Sequence, residues 1–272
     1  MFYLFKNLKI AYYAISWSIL AVFLIIEFWL IFATNTNYFV FLLFIIISWI
    51  VTFLNQIVFN IFAAKKYNQI VSILNDECDP IKYLNTYYPL AQQNINAKFK
   101  PLVLLNLASG YISVGDYAQA KNVLVSIDLS QAKPFERIFF HCHWTSIFLN
   151  EHNFAEAEKA LNFISQLVNS SKLKPEQIAD VNRIRNLYAA RINIEKGCFD
   201  GAEQTLNELL RTAEFNYSRI STKYTLAKLY IRQNRIDKAV EAMKYVAENG
   251  NTLNIAQKAR YYLKSSDNNS ET

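Results

Sequence analysis

Glycine, cysteine and charge are all scarce in this chain of 272 residues, and each scarcity excludes a class of protein. Five glycines are too few for dinucleotide-binding or phosphate-binding loops, which need several glycines where backbone approaches phosphate. The cysteines Cys78, Cys142 and Cys198 are odd in number and lack paired spacing, which argues against a disulfide framework and favours a reducing compartment. Only 18% of residues are charged and 53% are hydrophobic, so a disordered chain is excluded and a packed core is expected.

The apolar residues concentrate near the N-terminus in two long runs, 10–33 and 38–61. Glu27 is the one charged residue of the first run, and the second run has none. At a helical rise of about 1.5 Å per residue, each run is long enough to cross a hydrocarbon core of about 30 Å. Because the segment 34–37 between them is short and uncharged, the two helices must be antiparallel neighbours. The sequence therefore predicts a transmembrane hairpin over residues 1–61.

Basic residues flank this hairpin on one side only. Lys6 and Lys9 precede the first run, Lys65 and Lys66 follow the second, and the connection carries no Lys or Arg. Basic residues are retained on the cytoplasmic side, so we expect an integral protein of the plasma membrane with both termini and the remaining chain in the cytoplasm. A cleaved signal peptide is the alternative, but its apolar region would be about 7–15 residues long and would end in a pair of small residues.

Three polar residues lie inside the apolar runs: Glu27, Asn55 and Gln56. A turn centred between residues 35 and 36 brings Asn55 level with Ser16. Asn55 and Gln56 are then expected either to hydrogen-bond across the hairpin or to lie near the cytoplasmic headgroups. No basic residue lies at the depth of Glu27. Glu27 therefore either reaches the outer interface or stays protonated, or it contacts a helix of a partner membrane protein.

After the hairpin, residues 62–100 are predicted to form a helical connector. The helical pattern of the second run continues beyond residue 61, so that helix is expected to extend into the cytoplasm. Asp79 and Pro80 have the form of a new helix start, with Asp as N-cap and Pro at the first helical position. This short helix should run to about Tyr88, where Pro89 ends or bends it.

From about Pro101 the sequence repeats itself. Turn residues recur at intervals of roughly 40 residues, inside the range of about 20–50 that indicates stacked repeats. These residues are Tyr117, Phe154, Phe199 and Ile236. An alanine follows each of them three residues later: Ala120, Ala157, Ala202 and Ala239. Small alanines allow two helices to approach closely, and large apolar residues then fill the space between successive pairs.

This pattern resembles the tetratricopeptide repeat (TPR), an antiparallel helix pair of roughly 34 residues. The first copy carries the most matching residues: Ala108, Tyr111, Gly115, Tyr117, Ala120 and Leu124. Later copies match at fewer positions, since Asn193 replaces the aromatic residue of the third copy and Asn234 replaces the glycine of the fourth. The resemblance covers about residues 101–250.

The expected fold class is therefore all-α, with two transmembrane helices followed by a TPR-like α-solenoid. The solenoid should contain about four helix pairs over residues 101–264. Because each pair buries its apolar face only against its neighbours, a capping helix is needed, and Ile255 to Leu263 is the candidate. The polar tail 265–272 is predicted to be disordered.

The sequence offers no strong candidate for chemistry, so we predict no enzymatic activity, no metal site and no cofactor. His141 and His143 lie two positions apart, which on a helix turns them to nearly opposite faces, so structural roles are expected. Cys198 has no neighbouring base or second cysteine, which gives catalysis little support. Acidic and basic residues alternate along the soluble part, so nucleic acid is not an expected partner, and lipid headgroups explain its mild excess of positive charge.

The resemblance implies that a partner binds the concave surface, which the first helix of each pair lines. By register, this surface carries the candidate residues Leu105, Ser109, Ile112, Phe139, Ser146, Leu187, Arg191, Tyr224, Lys228 and Arg232. We expect it to take a peptide or helix with an acidic end, whose carboxylates meet Arg191, Lys228 and Arg232. The alternative is that these three cations are merely solvated.

Together these features predict a membrane-anchored TPR-type adaptor or scaffold. It would recruit a protein or peptide partner to the cytoplasmic face of the bilayer, where the hairpin raises the effective concentration for partners in the membrane. The alternative is a subunit or sensor of a membrane complex. In that case Glu27 contacts the membrane helices of other subunits, and the repeats relay whether a partner is bound.

Overall fold

The computed structural model describes residues 4–33, 38–93 and 95–270. These residues contain twelve helices and no strand, which confirms the all-α fold class. The helices are α1 (Lys6–Ala33), α2 (Tyr38–Asn75), α3 (Pro80–Ala91), α4 (Lys100–Val114), α5 (Tyr117–Val125), α6 (Pro134–Asn150), α7 (Phe154–Ser170), α8 (Pro175–Glu195), α9 (Ala202–Arg211), α10 (Asn216–Arg232), α11 (Ile236–Asn249) and α12 (Asn254–Ser270). The chain divides into two compact units, Met1–Gln69 and Ile70–Thr272, and the boundary falls inside α2.

In the first unit, α1 and α2 are long and apolar enough to cross a bilayer, over Lys6–Phe32 and Leu42–Asn75. Their large apolar side chains face outward, and Trp17 and Trp49 are 70% and 75% exposed. The core helices of soluble proteins bury such side chains instead. The two helices are therefore candidate membrane spans.

Three contacts show that α1 and α2 run antiparallel. Asn55 Nδ2 donates a hydrogen bond of 3.0 Å to Ser16 Oγ, which is the pairing expected from equal depth. The rings of Phe23 and Phe44 meet edge to face, with 6.1 Å between their centroids. Tyr12 and Phe59 do the same at 5.6 Å. The connection predicted at 34–37 lies outside the described residues.

The second unit is an array of antiparallel helix pairs. The pairs are α4 with α5, α6 with α7, α8 with α9, and α10 with α11. The helix α3 packs against α4, and α12 packs against α11 at the position of the predicted cap. The four repeat alanines are buried, as the close approach of paired helices requires: Ala120, Ala157, Ala202 and Ala239.

The turns between paired helices share one backbone conformation. The residues that end the first helix of each pair, Gly115, His152, Gly197 and Asn234, all have positive φ, at 91°, 58°, 78° and 57°. This left-handed conformation is the common way to end a helix, and it favours Gly and tolerates Asn. The same conformation in all four copies confirms the register of the repeat.

Two helices extend further than the sequence indicates. Pro89 lies inside α3, which ends at Ala91, so the proline does not end the helix. At the other end of the chain, α12 continues to Ser270, although the polar tail was expected to be disordered from residue 265. No proline or glycine interrupts this segment, and Ser265 and Ser266 donate their hydroxyl hydrogens to the carbonyl oxygen of Tyr262. Residues 271 and 272 lie outside the described residues.

Candidate functional site

The inner face of the array encloses a cavity. The helices α4, α6, α8 and α10 supply its wall, and residues at the start of α12 cover it. Its empty volume is about 490 Å³, including the part that is open to solvent. The lining residues are Ile112, Ser113, Tyr117, Ser146, Asn150, Leu187, Arg191, Tyr217, Ser221, Tyr224, Thr225, Leu253, Asn254 and Ile255.

The cavity is partly covered because the start of α12 reaches back to the first helix pair. Asn254 Nδ2 donates a hydrogen bond of 3.0 Å to the hydroxyl of Tyr117 on α5. Gly115 leaves room for this contact, since a Cβ atom there would stand 2.5 Å from the amide of Asn254. Beside it, the hydroxyls of Ser113 on α4 and Tyr217 on α10 lie 3.3 Å apart.

A second set of contacts joins the two ends of the array. Thr252 Oγ1 donates to Asp79 Oδ1 at 2.6 Å, and Asn251 Nδ2 donates to the carbonyl oxygen of Glu77 at 3.1 Å. Burial alone would raise the pKa of Asp79. The hydrogen bonds from Thr252 and from the backbone N–H groups of Lys82 and Ile81, with the charge of Lys82, outweigh it and lower that pKa. The concave surface is consequently a partly covered cavity and not an open groove along its whole length.

Half of the predicted concave residues line this cavity together: Ile112, Ser146, Leu187, Arg191 and Tyr224. They come from four helices, α4, α6, α8 and α10, so the register that the repeat predicts brings them to one place. The remaining five predicted residues lie elsewhere and have other partners.

Leu105, Ser109 and Phe139 lie between α4 and α6, where they pack and do not line an opening. Ser109 Oγ is 3.1 Å from His143 Nε2, and the same nitrogen donates to the carbonyl oxygen of Leu105 at 3.1 Å. Burial lowers the pKa of His143 to about 4, so this imidazole is neutral near pH 7.

The neighbouring histidine, His141, contacts a different helix, α7. The ring of His141 meets Phe163 of α7 edge to face, with 4.7 Å between centroids. Cys142 between the two histidines is buried. Among the described residues, no group of three or more His, Cys, Asp or Glu side chains is placed to hold a metal ion.

Lys228 and Arg232 are paired within the array. Both contact the carboxylate of Glu195 on α8, Lys228 at Oε1 and Arg232 at Oε2, the latter at 2.6 Å. The side chain of Glu195 is only 7% exposed. Burial raises the pKa of this carboxyl, but the two cations lower it more, so the net shift is downward. Sequence reasoning missed Glu195, although it lies four residues after Arg191 and thus on the same face of α8.

Arg191 differs from these two cations. It is partly buried, it lines the cavity, and no ion pair joins it to a carboxylate of the described chain. Its charge reaches Lys258 on α12, whose pKa is lowered by burial and by the positive charges of Arg191 and Lys228. Within the part of the chain that the structure describes, no acidic side chain lines the cavity. The site therefore has an excess of positive charge.

The polar residues predicted inside the hairpin lie on both of its helices. Glu27 is partly exposed on α1, and Gln56 is exposed on α2, one residue after Asn55. No ion pair joins Glu27 to another of the residues that the structure describes. Its contact with a partner helix stays a prediction.

One family of known proteins matches the chain. The model of the SusR N-terminal TPR domain matches residues 79–249, from the N-cap of α3 to the end of α11. It begins before the first repeat predicted at 101 and includes every predicted concave residue. No curated protein and no solved structure matches the chain.

Proposed function

Because the chain belongs to the family of SusR N-terminal TPR domains, we propose that it is a protein-interaction adaptor held at a membrane by α1 and α2. TPR domains present extended surfaces of stacked helices, and binding other proteins is their general role. The observation that carries this proposal is the joining, in one chain, of such an array to two apolar helices with outward-facing side chains. Two helices that expose so many large apolar side chains would not be stable in water.

The orientation that we propose has the repeat domain on the cytoplasmic side of the plasma membrane. It is supported by Lys6, Lys9, Lys65 and Lys66 on one side of the hairpin. The cysteines support the same side, since Cys78 and Cys142 are separate buried thiols and no disulfide is formed.

Cys198 provides a direct test of this orientation, because it is exposed while the other two cysteines are buried. Sealed right-side-out cells or spheroplasts are treated with a membrane-impermeant maleimide. We expect no labelling of Cys198 until the membrane is permeabilised, and then labelling at that residue alone. A Cys198→Ser chain controls for reaction elsewhere. Labelling of Cys198 before permeabilisation would contradict the orientation.

The partner is tested by crosslinking the tagged full chain in its native membrane and identifying the products by mass spectrometry. We expect one or more proteins to be crosslinked to peptides from residues 79–249. Glu27→Gln distinguishes the two candidate roles, with Ser18→Ala on the same helix as its control. A simple adaptor keeps its partners when Glu27 is neutralised, whereas a subunit that binds other membrane helices through Glu27 loses them. If no protein is crosslinked to the repeat domain, the adaptor role is contradicted.

The second candidate role is a sensor within a membrane complex, and the partly covered cavity favours it. An adaptor that grips an extended peptide needs an open concave surface, whereas here Leu253, Asn254 and Ile255 occupy part of the inner face. A small molecule in this cavity would contact both ends of the array. Its binding could then alter the surfaces that protein partners use.

A further inference from the structure

We propose that the cavity on the inner face of the array binds a small organic anion, a carboxylate or a phosphate monoester, with Arg191 as its counter-charge. This site goes beyond the adaptor role, and it can fail without affecting that role. Four observations carry it: the uncompensated charge of Arg191, the donors that line the same cavity, the sign of the surrounding charge, and the apolar part of the wall.

The first observation is that Arg191 lacks the carboxylate partner that three other cations of α8 and α10 have. Arg183 contacts both Asp180 and Glu214, while Lys228 and Arg232 share Glu195. Arg191 lines a cavity and pairs with no carboxylate of the described residues. A partly desolvated cation is unfavourable unless an anion balances it. A planar guanidinium binds carboxylate or phosphate with two parallel hydrogen bonds, so it is suited to supply that balance.

The second observation is the set of donors around Arg191. The cavity wall carries hydroxyl groups and side-chain amides from four helices: Tyr117, Ser146, Asn150, Tyr217, Tyr224 and Asn254. Tyr117 accepts a hydrogen bond from Asn254 Nδ2, which leaves the phenol hydrogen to be donated. Hydroxyl and amide groups that line the same cavity as a guanidinium can serve as hydrogen-bond partners for the oxygens of an anion.

The third observation is the sign of the charge. No Asp or Glu of the described residues lines the cavity, and the nearby carboxylate of Glu195 already has two cationic partners. Lys258 on α12 adds a further positive charge close to Arg191. The field inside the cavity thus attracts anions and repels cations.

The fourth observation is the apolar part of the cavity wall. Apolar side chains of Leu187, Leu253 and Ile255 complete the wall and would face the carbon skeleton of the ligand.

The test measures binding of defined anions to the full chain in detergent micelles by titration calorimetry. The probes are succinate, citrate, glycerol 3-phosphate and inorganic phosphate, with glycerol as the uncharged comparison. We expect at least one organic anion to bind in a one-to-one ratio and glycerol not to bind. If phosphate binds as tightly as glycerol 3-phosphate, the organic part of the ligand is not recognised and the proposal fails in that respect.

Variants connect this binding to the cavity. Arg191→Gln should weaken anion binding by roughly tenfold or more, since it removes a charged donor pair. Arg191→Lys should fall between Gln and the native chain. Arg211→Gln is the matched control, because it removes the same charge from an exposed residue at the end of α9, outside the cavity, and should bind as the native chain does.

Folding is checked on the same samples by thermal unfolding. Arg191→Gln removes a charge without breaking an ion pair, so we expect it to unfold at or above the native temperature. Tyr224→Phe is a second variant that keeps the packing and removes one donor, and it should weaken binding several-fold.

Three outcomes would overturn the proposal. None of the probes binds; or they bind equally well to Arg191→Gln; or a long acidic peptide binds through Arg191 while the small anions do not. The last result would restore the peptide groove predicted from the sequence.

Discussion

The apolar hairpin and the repeat domain are both built from helices, but they place their large apolar side chains in opposite ways. In the repeat domain, leucines such as Leu206 and Leu229 are buried between neighbouring pairs. In the hairpin, residues such as Leu24 and Trp49 face outward. A repeat pair buries its apolar side chains against the next pair, whereas the apolar side chains of the hairpin can be buried only against molecules outside the chain. Helical secondary structure alone thus does not show whether a helix is stable in water or needs an apolar environment such as a bilayer.

The largest effect should come from matched leucine truncations in the two regions. Leu229→Ala removes a side chain that is 0% exposed, and we expect it to lower the free energy of unfolding by about 2–5 kcal/mol. Leu24→Ala removes one that is 64% exposed and should change it by less than about 0.5 kcal/mol. Urea unfolding of the full chain in micelles, followed by circular dichroism, measures both. Equal losses of unfolding free energy in the two variants would contradict the view that the hairpin and the repeat domain place their leucines differently.

An intermediate effect should come from the contacts that join the ends of the repeat domain. Asp79 and Asp116 are both N-caps, and each accepts a hydrogen bond from the third residue after it, but only Asp79 also binds Thr252. Both alanine variants should lose about 1 kcal/mol of capping energy. Asp79→Ala should lose about 0.5–1.5 kcal/mol more. Equal losses from the two variants would show that the contact with Thr252 does not stabilise the fold.

The same contact should depend on pH. The pKa of Asp79 is lower in the folded chain than in the unfolded chain. Its contribution is therefore fully present above the unfolded pKa and is lost as the pH falls through the folded pKa. The difference in stability between the native chain and Asp79→Asn, measured from neutral pH downward, should shrink in that acidic range. A difference that does not change with pH would contradict this assignment.

The smallest effect should come from the hydrogen bond across the hairpin. Ser16 accepts from Asn55 on the other helix, whereas Ser18 donates to the carbonyl oxygen of Ala14 on its own helix. Ser16→Ala should weaken the association of the two helices by about 0.6 kcal/mol and at most about 1.7 kcal/mol, and Ser18→Ala should leave it unchanged. Energy transfer between dyes on the two helices, during titration with a denaturing detergent, measures both. A similar result for the two variants would mean that the bond adds nothing.

The sequence was sufficient to predict the helix pairs because their signals are local. A left-handed turn needs glycine or a tolerant residue at one position, and Gly115, Gly197 and Asn234 supply it. His152 occupies the same conformation without such a signal, and the alanine that follows the turn identified that copy instead. Local patterns of this kind survive in each copy, even where single positions depart from the repeat.

The candidate site was predicted only in part because its closure depends on residues far apart in the chain. Register alone identified Ile112 and Arg191 as neighbours on the inner face. No local pattern indicates that Asn254 reaches Tyr117, or that Glu195 holds Lys228 and Arg232. These pairings depend on how far the array curves from pair to pair, which is a sum of many small packing rotations.

The meeting of the two ends changes how such an array can come apart. In an open stack of repeats, each terminal unit is held by one neighbour and frays first. Here the segment before α3 and the start of α12 also hold each other, so detaching either end breaks two interfaces at once. Partial unfolding from the termini should therefore be suppressed, and the domain should unfold cooperatively as one unit, without a terminal repeat that frays first.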